Sequence, residues 1–92
     1  MELEFDPAKN ARNIRERGIS FERFADMDLE TASVVDDTRV DYGERRVTIV
    51  GNIDDRLHVA IVTYRGDKVR VISLRRANKR EERRHAKKPE SH

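Results

Sequence analysis

The order of apolar patterns along this chain predicts an α+β fold, with N-terminal helices packed on a small antiparallel β-sheet and a basic C-terminal helix after it. Three observations carry that reading. Helix-like periodicity bracketed by capping residues occupies the start of the chain. Three runs rich in Val, Ile and Leu, separated by short turn sequences, fill residues 45–74. The last third is strongly basic: residues 65–92 hold 11 Lys and Arg against 4 Asp and Glu, whereas residues 1–64 hold 9 against 14. The whole-chain net charge of +2 conceals this split.

Each element has a local cause. Residues 1–5 alternate apolar and polar side chains and read as a short strand. Asp6-Pro7 starts a helix, because Asp accepts from first-turn amides and Pro fits the first helical position. Ala8, Ala11 and Ile14 recur on one face of that helix, and Gly18 stops it. Ser20 opens a second helix, with Phe21, Phe24 and Ala25 on its buried side. Residues 31–35 form a short strand and residues 36–44 a polar loop. Residues 45–53, 57–64 and 68–74 are the main strands. Asp54-Asp55-Arg56 and Arg65-Gly66-Asp67 separate them, and such short connections imply antiparallel hairpins. Leu57, Val59 and Ile61 are expected to share a core face with Val69 and Val71. His58, Tyr64 and Arg70 then fall on the other face. Residues 77–88 favour a helix but offer only Ala77 and Ala86 as apolar members, so this helix is expected to be loosely held until something binds it.

Composition sets the bounds. Ninety-two residues make a single domain, placed at residues 1–88 with a disordered tail at 89–92. Charged residues reach 41% and hydrophobic ones 36%, yet the apolar residues are grouped into periodic runs, which argues for a folded middle. The chain has no Cys, which excludes a disulfide scaffold, a thiolate nucleophile and a Cys-based zinc site. His58, His85 and His92 lack metal-ligand spacing, and Asp36, Asp37, Asp41 and Glu44 match no cation-binding loop, so no metal or cofactor is expected. With no signal peptide and no long apolar run, the expected location is the cytoplasm, with no membrane partner.

The basic block points to a polyanion. A strand and a helix carrying many cations can present them to one phosphate backbone. Arg70 on the strand, with Arg75, Arg76, Lys79 and Arg80 at its junction with the helix, are expected to converge on one phosphate. Arg65, Lys68, Arg83 and Arg84 extend the track. Guanidinium suits this role through its planar fork of donors. RNA can be cleaved without a metal when a base activates the 2′-hydroxyl, cations stabilise the phosphorane and an acid protonates the leaving 5′-oxygen. His58, His85, Tyr64, Glu81 and Glu82 are the open candidates for proton transfer. Non-catalytic RNA or ribosome binding, and docking of the basic helix on an acidic partner peptide, are the rival readings of the same charge.

The chain also resembles a known family. Phe5-Asp6-Pro7-Ala8-Lys9 with Asn13, then Arg17-Gly18-Ile19-Ser20-Phe21-Glu22, Glu44-Arg45-Arg46 with Ile49-Val50-Gly51, Arg65-Gly66-Asp67 and Val69–Ala77 followed by Glu81 fall in the order and spacing of BrnT, the toxin of BrnT/BrnA type II toxin–antitoxin systems. The resemblance implies a RelE-like α+β fold, an endoribonuclease that inhibits translation, and neutralisation by a DNA-binding, BrnA-like antitoxin. The family often carries His where Arg17 stands and Tyr where His85 stands, so His85 would take the place of that aromatic. The catalytic set expected on both grounds is Arg70, Arg75 and Arg76 around the phosphate, with His58, Glu81 or His85 moving protons.

Overall fold

A computed structural model describes residues 2–37 and 44–87. Five strands share one sheet: β1 (Glu2–Glu4), β2 (Ser33–Asp37), β3 (Arg46–Ile53), β4 (Arg56–Arg65) and β5 (Lys68–Arg76), in the order β1-β5-β4-β3-β2. Helix α1 (Pro7–Arg17) and a 3-10 segment (Phe21–Asp26) lie between β1 and β2, and helix α2 (Lys79–Lys87) follows β5. The fold is α+β as expected, but the sheet is mixed. β1 runs parallel to β5, pairing Leu3 with Val69, while the other neighbours are antiparallel. The expected tail at 89–92 and most of the loop at 36–44 lie outside the described residues.

The caps act as their sequence suggests. The Asp6 carboxylate accepts from the Ala8 amide at 2.9 Å, and Gly18, at φ 72°, donates its N–H to the Ile14 carbonyl at 2.8 Å. The Ser20 hydroxyl accepts from the Glu22 amide at 3.2 Å, but it opens a single 3-10 stretch instead of an α-helix. Phe21, Phe24 and Met27 drop from it onto Val47, Ile49, Ile53, Ala60, Val62, Val69, Val71 and Leu74, forming the core. Phe5 meets Phe21 edge to face, with ring centroids 5.9 Å apart. Ala25 remains exposed.

Helix α1 docks differently from its apolar pattern. Ile14 is 47% exposed, and Ala8 and Ala11 also face solvent. Its one buried residue is Asn13, whose Nδ2 donates to the carbonyls of Ile19 and Leu74, both at 2.9 Å. Asn10 accepts the Phe21 amide at 2.7 Å. The reason lies in the sheet. β1 pairs with β5 only as far as Arg70, so the later part of β5 has no strand on that edge. Asn13 supplies a donor there in place of a strand backbone.

The facing of β4 also corrects the sequence expectation. Both hairpin loops have two residues instead of three: Ile53 pairs with Arg56, and Arg65 with Lys68. Asp54 and Asp55 have φ of 50° and 64°, the left-handed pair of a type I′ turn. One residue fewer in a loop moves the opposing strand to the other face. Val62, with Ala60 and His58, therefore shares the core face with Val69 and Val71. Leu57, Val59 and Ile61 line the opposite face. A bulge leaves Ile72 unpaired, since Ile61 pairs with Ser73 and Val62 with Val71. Beyond it, Leu74 and Arg76 take over the core-facing positions on β5.

Helix α2 covers the opposite face, where Leu57 and Val59 are buried. It begins at Lys79, and β5 continues to Arg76, so both ends of the expected junction shift. Asn78 and Glu81 form a reciprocal cap: Asn78 Oδ1 accepts the Glu81 amide at 2.8 Å, and Glu81 Oε1 accepts the Asn78 amide at 2.9 Å. Ser33, Val50, Val59 and Arg75 stand in one register row across four strands. The helix is fastened at both ends of that row, by Glu81 to Arg75 and by His85 Nδ1 to the Ser33 hydroxyl at 3.3 Å. Among the described residues it buries no side chain, so these polar anchors take the place of an apolar face.

Candidate functional site

An open cleft of about 490 Å³ lies at the end of the sheet where β3 turns into β4 and β5 ends. The connection from α1 to the 3-10 segment forms its other wall. Register places the key side chains. His58 pairs with Gly51 on one side and Arg76 on the other, so His58 and Arg76 project together on the core-facing side. Arg56, two residues before His58, shares that face. Arg17, at the end of α1, and Arg23 close the cleft from above.

His58 sits at the bottom, 4% exposed. Its Nδ1 lies 2.8 Å from the Arg56 carbonyl. A carbonyl only accepts, so Nδ1 carries the proton and Nε2 is the basic nitrogen of the neutral ring. Four guanidiniums and the Asp54 carboxylate line the same cleft. Arg23 is bonded to Asp54, and to Asp26 at 3.1 Å. Arg17 donates to the Ser73 hydroxyl at 3.3 Å. Among the described residues, Arg17, Arg56 and Arg76 make no ion pair. Three cations free of carboxylate partners among the described residues, around one oriented imidazole, attract an anion and can stabilise charge that builds on it.

The basic block does not converge as expected. Arg75 and Arg76 are consecutive strand residues and project to opposite faces. Arg76 enters the cleft, whereas Arg75 binds Glu81 through two bonds of 2.8 and 2.9 Å on the far side of the sheet. Arg70 pairs with Glu4 at 3.2 Å, six residues from Arg76, which at roughly 3.3 Å per residue is on the order of 20 Å along the strand. Arg65 approaches Glu44 at 3.5 Å, and Lys68 is exposed at that same distant end. Lys79, Arg80, Arg83 and Arg84 are exposed on α2.

The proton-transfer candidates separate in the same way. His85 is bonded to Ser33 on the face away from the cleft. The Arg75 guanidinium, aided by the Asn78 amide and by Arg84, holds the Glu81 carboxyl down to about 2 against the opposing effect of burial. A carboxylate so fully ionised near neutrality is poorly matched to proton transfer there. The same bonds raise Arg75. Tyr64 is 52% exposed, beside the distant hairpin.

Sequence reasoning missed Arg17, Arg23 and Arg56 as members of a site. The signal for Arg56 was present: Arg56 and His58, two apart on a strand, must share a face. The Arg17 and Arg23 contributions depend on the turn after Gly18, which local pattern does not fix.

A small α+β scaffold that holds an oriented imidazole among uncommitted guanidiniums defines a protein suited to a phosphate-bearing polyanion. Residues 5–81 match the family described as "Ribonuclease toxin, BrnT, of type II toxin-antitoxin system", and the chain belongs to that family. Members are ribonuclease toxins, and a type II system supplies an antitoxin partner and an RNA substrate. Comparison with curated proteins finds no match.

Proposed function

We propose that RNA is cleaved in the His58 cleft without a metal ion. The observation that carries this is the hydrogen bond from His58 Nδ1 to the Arg56 carbonyl, which leaves Nε2 as the acceptor among three guanidiniums that make no ion pair among the described residues. His58 Nε2 takes the proton of a ribose 2′-hydroxyl. The 2′-oxygen attacks the neighbouring phosphorus, and Arg17, Arg56 and Arg76 stabilise the charge of the phosphorane. The bond to the 5′-oxygen breaks, that oxygen collects a proton from water, and a 2′,3′-cyclic phosphate remains. Arg70, Arg75, Glu81 and His85 lie outside this constellation and act in holding β1 and α2. Lys79, Arg80, Arg83 and Arg84 on α2, with Arg65 and Lys68, add long-range attraction for RNA.

In this reading residues 1–88 form one RelE-like domain that acts in the cytoplasm. It cleaves RNA, free or on the ribosome, inhibits translation and is neutralised by a BrnA-like antitoxin. The test is single-turnover RNA cleavage in EDTA at saturating protein. Arg76→Ala is expected to slow cleavage by about 10²–10³, the usual loss for one donor to a developing oxyanion. His58→Asn is expected to reduce it at least as far, and Arg70→Ala to leave the rate unchanged. Wild-type rates in both cleft variants would remove the assignment. A wild type that never cleaves RNA, alone or with ribosomes, would leave a non-catalytic RNA binder.

A further inference from the structure

A second cleft, of about 230 Å³, lies between α1 and the bulge of β5. Its existence follows from two features of the sheet. β1 stops pairing at Arg70, and Ile72 is the unpaired residue of the bulge, so at Ile72 and Ser73 the edge of β5 turned away from β4 has no strand beside it. Lys9, Arg12, Glu16 and Arg17 of α1 stand over it. Glu16 is already neutralised by Arg12 at 3.1 Å, whereas Lys9 makes no ion pair among the described residues. The lining therefore carries three cations against one carboxylate, a net of +2. Half-buried Ile72 gives the cleft an apolar patch.

Arg17 belongs to both clefts. Its bond to the Ser73 hydroxyl at 3.3 Å holds the guanidinium on the ridge between them. One cleft is thus ringed by cations around an imidazole, and the next offers a free lysine, an apolar patch and the same arginine. That alternation of positive and apolar surface is what a single strand of nucleic acid presents in complement, phosphate after base.

We infer that the α1–β5 cleft is a second RNA subsite, which holds the nucleotide adjoining the scissile phosphate with its own phosphate between Lys9 and Arg17. The inference rests on the reading of the His58 cleft as the place of cleavage. It also moves the RNA path from the basic helix α2 to the α1 side of the sheet.

The test measures binding of 2′-O-methyl RNA, which lacks the attacking hydroxyl and stays intact whether or not the protein is an active nuclease. A dinucleotide, a tetranucleotide and an octanucleotide are titrated by fluorescence anisotropy over a range of salt. Lys9→Ala is expected to weaken the octanucleotide and to reduce its slope of log affinity on log salt by about 1, the loss of one phosphate contact. Dinucleotide binding should stay as in the wild type. Arg15→Ala, an exposed cation of the same helix that lines neither cleft, should change neither. Octanucleotide binding by Lys9→Ala that matches the wild type and Arg15→Ala overturns the inference. So does a Lys9→Ala variant that binds RNA normally and loses antitoxin, since the cleft would then be a protein-docking site. Lys9-dependent binding by a protein that cleaves nothing supports the subsite and fails only the catalytic reading.

Discussion

Replacing Glu81 with Gln keeps the shape of the side chain and removes the charge that fastens α2 to Arg75. The size of the effect follows from the carboxyl, which the Arg75 guanidinium and the Asn78 amide draw from 4.5 to about 2. At about 1.36 kcal/mol per pH unit that shift corresponds to about 3 kcal/mol. The Arg75 side chain is 37% exposed, and solvent screening reduces the usable part to about 1–2 kcal/mol. A nine-residue helix with no buried side chain among the described residues has little else to hold it. Glu81→Gln is therefore expected to lower amide protection across 82–87 by about 5- to 30-fold at neutral pH, read by hydrogen exchange with mass spectrometry. The pH dependence has a definite sign. Folding lowers the Glu81 carboxyl, so its contribution is complete above the unfolded value of 4.5 and disappears as pH falls toward 2. Wild-type protection factors should fall through that window and merge with those of the variant, which should stay flat. Equal protection of the two proteins at neutral pH would show that the helix is held by something other than this pair.

Three further changes probe the scaffold by urea denaturation. Asn13→Ala strands the carbonyls of Ile19 and Leu74 without their donor and should destabilise by about 2–3 kcal/mol, whereas Ile14→Ala on the exposed side of the same helix should cost well under that. Gly51→Ala brings a Cβ to 2.9 Å from Met27 Cγ and Sδ and 3.0 Å from Ala32 Cβ, so an overpacking loss of about 1–3 kcal/mol is expected, and an unchanged midpoint would mean that Met27 repacks freely.

Much of the architecture was legible because its causes are local. Asp6, Gly18 and Ser20 bracket their segments as caps, and Phe21 and Phe24 announce the core. What stayed hidden depends on counting or on distance. Whether Arg65-Gly66-Asp67 contributes two or three residues to the turn decides which face His58 occupies, and composition does not settle that. The parallel pairing of Leu3 with Val69 joins opposite ends of the chain. The burial of Asn13 instead of Ile14 makes sense only once β5 is seen to lack a strand on its β1 edge beyond Arg70. The basic block read as one surface because its cations are contiguous in sequence, but a strand sends neighbours to opposite sides. Arg76 therefore joins His58 while Arg75 is taken by α2.

The pairing of β1 with β5 also bears on when the molecule acquires its chemistry. Glu2–Glu4 wait for residues 68–70, Asn13 waits for the Leu74 carbonyl, and the cleft needs Arg17 from near the start of the chain and Arg76 from near its end. Contacts of such long sequence separation form late, and during synthesis they cannot form until the last strand has emerged. Nascent chains that stop short of β5 carry the imidazole and three of the four guanidiniums without the frame that brings them together. A ribosome making this protein must therefore have passed β5 before the cleft exists.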